Sequence, residues 1–328
     1  MVGMHKIVAE VDQSMERRSI LKSAAVAAGV GLVGVVRAHA LAEGAKLAPV
    51  AAKARARKSI ETADGTRLFH RDWGDGKPIL FAAPWGLNTD WWEYQMTALA
   101  GRNLRCVGYD RRGHGRSDEP KDGYDLDTLA DDMAAVIDQL ELRQVMLVGQ
   151  SLGCGEVVRY LSRHGSGRID RVVLVSTITP FIMKTPDNPD GVDEAALEKT
   201  PAALCTDRAH VIAAAAPAFF GEPVNTVSPE MAGWWTRMMV DGCSLKVMID
   251  LQRMFTRTDF RPELRAMTLP TLLIHGDHDA STPIELTGRK TARLIPRCQL
   301  KLYENAAHGL TITHKDRLSA DLLAFVEG

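Results

Sequence analysis

Ser151, Asp277, Asp279 and His308 carry the side chains in this 328-residue chain whose order and surroundings would assemble an activated nucleophile. Ser151 sits in Gly149-Gln150-Ser151-Leu152-Gly153, directly after the apolar run Val145-Met146-Leu147-Val148. Asp277 and Asp279 follow Leu272-Leu273-Ile274-His275, and His308 follows Leu300-Lys301-Leu302-Tyr303 at a short remove. A serine hydroxyl is a weak nucleophile until a base accepts its proton, and an imidazole serves best as that base when a carboxylate orients it. Alone, a Gly-x-Ser-x-Gly stretch also reads as the cap of a helix that follows a strand. Serine, then acid, then histidine, each just past an apolar run, is the order expected of a nucleophile held on a sharp strand-to-helix turn.

The elements that must position these residues are legible as short apolar runs alternating with helical patterns from about Ser59 onward, which predicts strands joined by crossover helices and a mostly parallel sheet. Lys58 to Thr62 and Leu68 to Trp73 flank Asp64-Gly65, a hairpin signal, so the first two strands are expected to be antiparallel. Six more strand candidates follow, at Ile79 to Ala83, Cys106 to Tyr109, Val145 to Val148, Val172 to Ser176, Leu272 to His275 and Leu300 to Tyr303. Helical patterns near Asp127 to Leu140, Gly155 to Arg163, Pro283 to Leu294 and Lys315 to Val326 separate most of them. Between about residues 179 and 261 the alternation stops and the chain turns rich in Ala, Met and Trp with prolines, the pattern of an inserted helical cap. In such a sheet the site is built at the carboxyl ends of the strands, where all four residues fall.

Composition restricts the rest. Forty Lys and Arg nearly balance 41 Asp and Glu, so no basic surface points to nucleic acid. The five cysteines, Cys106, Cys154, Cys205, Cys243 and Cys298, are scattered and never spaced as Cys-x-x-Cys, so neither a disulfide framework nor a zinc site follows. Cys154, three residues after Ser151, reads as small apolar filler and not as a thiol nucleophile. His275, Asp277, His278 and Asp279 crowd into one short loop, an arrangement in which side chains seldom converge on one metal ion.

The N-terminus is different in kind. From Met15 it reads MERRSILKSAAVAAGVGLVGVVRAHALA: the Arg17-Arg18 pair, an apolar region from about Ser23 to Val36, and a small-x-small site at Ala38-His39-Ala40. This is the order of a secretory leader, here of the twin-arginine type that a dedicated translocase reads. The apolar run is shorter than the roughly 20 residues a bilayer span needs, so stable membrane insertion of the mature chain is not expected. The reading is residues 1–40 as signal peptide with cleavage after Ala40, residues 41–57 as a flexible lead-in, and residues 58–328 as the folded domain of a periplasmic or secreted protein.

Several longer stretches sharpen the picture: NTDWWEYQM, YDRRGHGRSDEP, YDLDTLADDMAAVIDQL, GEVVRYLSRHGSGRIDRVVLVS, KTPDNPDGV, LIHGDHDASTPIE and AAHGLTITHKDRLSADLLAFVEG. Together they resemble the α/β-hydrolases, and within them the cofactor-free haloperoxidase, perhydrolase and aryl esterase group, over about residues 59–328. The resemblance implies an α/β fold with a mostly parallel eight-stranded sheet flanked by helices and capped by the insertion. It also implies Ser151 as nucleophile, Asp279 rather than Asp277 as the acid, His308 as the base, and the backbone N–H groups of Leu152 and Trp85 as oxyanion donors. The activity implied is hydrolysis of small-molecule carboxylic esters through an acyl-enzyme, with hydrogen peroxide able to replace water and yield a peracid, all without metal, haem or other cofactor. Hydrolysis of a C–C bond or a lactone by the same triad, and a non-catalytic small-ligand receptor, are the alternatives. Dehalogenases and epoxide hydrolases place Asp where this chain has Ser151.

The chain departs from that group in its oxyanion loop, which reads Ala83-Pro84-Trp85-Gly86 where relatives show His-Gly-Trp-Pro. If Gly86 has a negative φ, proline there is expected to stiffen the loop and favour peroxide chemistry. Asp110, Arg111, Arg112 and His114 look like a charged active cluster but read as structural. His164 and His314 read as surface or packing residues. Phe219-Phe220 and Trp234-Trp235 either line a pocket or pack the cap onto the sheet.

Overall fold

The computed structural model describes residues 59–328. The leader and lead-in expected over residues 1–57 lie outside the described residues. The strands are β1 (Ile60–Glu61), β2 (Arg67–Leu68), β3 (His70–Trp73), β4 (Lys77–Ala82), β5 (Leu104–Tyr109), β6 (Val145–Gln150), β7 (Ile169–Val175), β8 (Thr271–Gly276) and β9 (Cys298–Tyr303). The last seven form one sheet in the order β3-β5-β4-β6-β7-β8-β9, parallel throughout except for the antiparallel edge strand β3. Strands β6 and β8 are buried along their whole length, which is why they read as unbroken apolar runs rather than as alternating ones.

The sheet has seven strands where the sequence suggested eight, because the first hairpin does not join it. β1 and β2 pair only with each other, around a turn in which Gly65 takes φ 84°. The run expected to continue from Leu68 to Trp73 breaks at Phe69, and the hairpin turns away to a helix instead. There the Gln139 side chain donates to Glu61 O at 2.6 Å and accepts from Glu61 N at 3.2 Å, so the strand's polar groups are satisfied by a side chain rather than by a neighbouring strand.

The helices are α1 (Glu93–Ala100), α2 (Leu126–Gln139), α3 (Leu152–His164), α4 (Glu194–Leu197), α5 (Lys199–Phe220), α6 (Pro229–Gly242), α7 (Leu245–Arg257), α8 (Arg261–Ala266), α9 (Gly288–Leu294), α10 (Leu310–Thr313) and α11 (Lys315–Glu327). The flanking helices pack as pairs, α2 with α3 and α1 with α11. Asp125 caps α2 by accepting from Thr128 N at 2.9 Å, as an acidic N-cap residue should. Helices α4 to α8 all fall between β7 and β8, after a non-helical stretch over residues 176–193. Helix α5 is broken at Asp207, whose φ −154° and ψ 84° are not helical; its carboxylate accepts from His210 N at 3.0 Å and so caps the second half anew. No helix among the described residues is long and apolar enough to cross a membrane.

Candidate active site

Parallel strands deliver the site residues to one edge of the sheet. β6 ends at Gln150, so Ser151 is the first residue of the turn into α3. Its φ of 54° and ψ of −115° lie where a non-glycine residue is strained. The flanking glycines make that turn possible. A Cβ on Gly149 would meet Gly153 O at 2.4 Å, and one on Gly153 would meet Ala82 O at 2.4 Å, so strand and helix approach closer than any side chain permits. Leu152 opens α3. The first N–H groups of a helix have no acceptor within it and carry the positive end of its dipole.

The acid follows β8 and the base follows β9, beyond the intervening β7. His308 Nδ1 lies 2.8 Å from Asp279 Oδ2, and both residues are buried. The other carboxylate oxygen of Asp279 accepts from Ser281 N at 3.0 Å and Thr282 N at 2.8 Å. Thr282 Oγ1 adds a bond to Oδ2 at 3.1 Å and stands 3.3 Å from His308 Nδ1. Burial would raise the Asp279 carboxyl, but the neighbouring His308, with hydrogen bonds from His275 and His308, holds it well below the usual carboxylate range. Asp279 therefore stays ionised and keeps Nδ1 of the imidazole protonated, leaving Nε2 as the basic nitrogen.

Asp277 stands apart. Its carboxylate meets His278 Nδ1 at 2.6 Å near the surface, and neither residue lines the cavity at Ser151. His275 Nε2 bonds to Thr282 O at 2.8 Å. The same nitrogen stands 3.4 Å from Asp279 Oδ2, while Asp277 and His278 pair with each other, and no group of three or more His, Cys, Asp or Glu among the described residues is arranged to hold a metal ion.

The loop after β4 faces the elbow. Leu87 N donates to Pro84 O at 3.2 Å, closing a turn in which Gly86 takes φ +73°. A positive φ at the third position is what a type II turn requires and what glycine alone supplies without strain. The expectation that proline at 86 would stiffen the loop is corrected here, since the proline ring fixes φ near −65°. Even an alanine Cβ at Gly86 would meet Met239 Cε at 2.7 Å. Trp85 is anchored instead by its indole, which donates to Met248 O of α7 at 2.9 Å.

The YDRRGHGRS stretch forms the support beneath this loop. Arg111 donates to Ala83 O at 2.7 Å and pairs with the Glu156 carboxylate on α3, while Tyr109 Oη donates to the same carboxylate at 2.9 Å. Arg111 and Glu156 are 2% and 1% exposed; a buried pair of this kind is strongly destabilising to break from one side. Arg112 binds Asp132 and Asp64. Asp110 accepts from Thr89 N and Arg116. His114 is buried against Arg112 O. None of them lines the cavity at Ser151. Cys154 is fully buried, its Sγ 3.2 Å from Gly149 O, and burial pushes its thiol up to about 12. His164 bonds Asp131 on the surface and the His314 ring lies tilted against Tyr303.

Ser151 and His308 open onto a cavity of about 110 Å³ walled by Trp85, Phe219, Trp235 and Met239 among other apolar residues. Of the aromatic pairs singled out in the sequence, Phe219 and Trp235 line it. Phe220 is buried behind them and Trp234 stacks on Trp91. Phe219 also meets the His308 ring edge-on at 5.4 Å, and its carbonyl accepts from Gly309 N at 2.7 Å.

The residue reading missed two supports. Thr282, three residues beyond the acid, touches both Asp279 and His308. Gln150, the variable position of the motif, donates to His308 O at 2.8 Å and accepts from Trp91 Nε1 at 2.6 Å and Thr311 Oγ1 at 2.7 Å. Trp91 lies in the NTDWW stretch, the one sequence signal that pointed toward this network.

A family model described as alpha/beta hydrolase fold matches residues 77–315. The chain is 38% identical over 270 residues to a non-heme chloroperoxidase of Kitasatospora aureofaciens, covering 81% of this chain and 98% of that protein. It is 36% identical over 273 residues to a bifunctional esterase/perhydrolase of Acinetobacter calcoaceticus, covering 81% of this chain and 98% of the relative. A solved bromoperoxidase from Bacillus anthracis superposes with a TM-score of 0.78 at 36% identity, over 82% of this chain and 98% of that one.

Proposed function

The chain belongs to the alpha/beta hydrolase fold family, and on that premise we propose that it is a serine hydrolase of small carboxylic esters. Ser151 attacks the ester carbonyl while His308 takes its proton. Asp279 stabilises the imidazolium that forms, and the N–H groups of Leu152 and Trp85 hold the oxyanion. His308 then protonates the departing alkoxide, and water, deprotonated by the same imidazole, releases the acid. Hydrogen peroxide in place of water yields a peracid by the same balance of bonds, in keeping with relatives named haloperoxidase and perhydrolase. The leader in residues 1–40 makes this an exported enzyme.

One observation carries the reading: a serine on a strained elbow and a histidine oriented by a buried carboxylate at 2.8 Å line the same cavity. That small, largely apolar cavity suits a short acyl chain or one aromatic ring. The test is turnover of chromogenic short-chain esters by the mature protein, followed by labelling with an organophosphonate and mapping of the adduct. Turnover with the label on Ser151 is expected. Ligand binding without turnover would mean a receptor, label on Cys154 would overturn the nucleophile, and faster turnover of lactones would favour the lactonase reading.

A further inference from the structure

Beyond the catalytic Ser151 and His308 and the adjacent Ser281 and Thr282, the cavity wall is apolar except for Thr200 and Gln252. Gln252 is 3% exposed, lies on α7 one turn beyond Met248, and lines the cavity together with Phe255. Its amide nitrogen donates to Leu197 O at 3.2 Å, at the end of α4. That bond fixes which way round the amide sits, because the flipped form would set two carbonyl oxygens against each other. Its Oε1 then has no hydrogen-bond partner among the described residues. A buried acceptor left unpaired is costly, and an aliphatic side chain of the same size would fill this wall without that cost. A role in packing, or in holding α4, accounts for the amide nitrogen but not for the oxygen. The indole N–H of Trp235, which lines the same cavity, is also buried without a partner.

We propose that Gln252 is a specificity-determining residue whose Oε1 accepts a hydrogen bond from the substrate, so that the preferred esters carry a hydroxyl or N–H donor on the part that enters the cavity. This rests on the ester hydrolase reading above. The donor-bearing ester satisfies an oxygen that the plain alkyl ester leaves buried and unpaired, which sets the sign of the preference. Sites that meet a substrate hydroxyl with a buried polar group discriminate through the penalty paid by the analogue that lacks it. Trp235, by donating to the same hydroxyl or to a nearby oxygen, adds to the effect without being required for it.

The test compares kcat/KM for two matched pairs, the 4-nitrophenyl esters of butanoic and 3-hydroxybutanoic acid, and the acetates of phenol and 3-hydroxyphenol. The first pair places the donor on the acyl side and the second on the leaving group. Wild type is expected to favour the hydroxyl-bearing member of one pair by about tenfold. Gln252→Met, which keeps the volume, should abolish or reverse that preference. Equal kcat/KM within both pairs for wild type would overturn the proposal whether or not any variant folds. So would a preference that survives Gln252→Met at an unchanged melting temperature. Absence of turnover on all four esters would instead overturn the ester hydrolase reading on which the proposal stands.

Discussion

The side chain of Gln150 donates to the backbone carbonyl of His308 at 2.8 Å, so the residue before the nucleophile holds the segment that carries the base. Its carbonyl accepts from Trp91 and Thr311, which fixes the amide on both sides. Gln150→Leu leaves these partners buried and unpaired, at a cost of about 1–3 kcal/mol each at most. It is expected to lower kcat by tenfold or more with KM little changed. Gln150→Glu keeps the acceptor toward Trp91 and Thr311 but loses the donor toward His308. Wild-type kcat in a folded Gln150→Glu would show that this link does not position the base.

Removing a member of the triad should be far more costly. Ser151→Ala and His308→Ala are each expected to reduce ester turnover by about 10⁴-fold, since groups that act as a unit lose function together. Asp279→Asn should follow closely, because the amide cannot stabilise the imidazolium and disturbs the tautomer of the ring. Asp277→Asn, at a carboxylate that pairs with His278 away from the cavity, should stay within about threefold. Steady-state kinetics with melting curves decides it: a folded Asp277→Asn slower than Asp279→Asn reverses the assignment of the acid.

Stability should fall on mild acidification. Burial, with Arg111 close by, pushes the His114 imidazole from 6.5 down to about 3. The fold keeps this ring neutral while the unfolded chain protonates it near 6.5, so the unfolded state binds more protons below that pH. This contribution is complete above about pH 6.5 and is lost as pH falls toward 3. Half-buried His70 is shifted in the same direction. The melting temperature is expected to decline between about pH 6.5 and 4.5, above the range of ordinary carboxylates, and His114→Gln should flatten part of that decline. An equally steep decline in the variant would assign the acid sensitivity to other groups.

Gly86→Pro should damage the oxyanion loop rather than tune it. The native φ of +73° is closed to proline, and the penalty exceeds the roughly 1 kcal/mol a compatible proline would contribute. Ester hydrolysis and peracid formation are expected to fall together, with a lower melting temperature. A folded variant with a raised ratio of peracid formation to hydrolysis would show that the loop accepts the opposite sign of φ.

The twin-arginine reading proposed for residues 1–40 predicts that export depends on the guanidinium pair. Arg17→Lys with Arg18→Lys conserves charge and should leave the precursor in the cytoplasm, because a receptor-read address is not a charge rule. Fractionation showing the double variant exported as before would assign the leader to the general secretory route.

The parallel strands are legible in the sequence because β6 and β8, covered on both faces, leave uninterrupted apolar runs. Asp279 is legible because it follows such a run, and His308 because it follows the alternating, partly buried strand β9. The first hairpin is legible at Asp64-Gly65, but its separation from the sheet is not, since the Gln139 side chain that meets Glu61 there is distant in the chain. Gln150 is equally opaque. Its partners lie 59, 158 and 161 residues away, and no local pattern encodes them. The sign of φ at Gly86 cannot be read from a residue that populates both.

The bond from Gly309 N to Phe219 O also limits how this enzyme can evolve. It ties the carboxyl-terminal end of α5 to the residue after the base, so a lineage that lengthens or shifts that end moves the imidazole with it. Thr200 and Leu204 line the same cavity from the other side of the break at Asp207, and no such bond ties them to the proton-transfer machinery. New substrate ranges are therefore most accessible by drift in the first half of α5, where the pocket can be reshaped while the inherited chemistry is left alone.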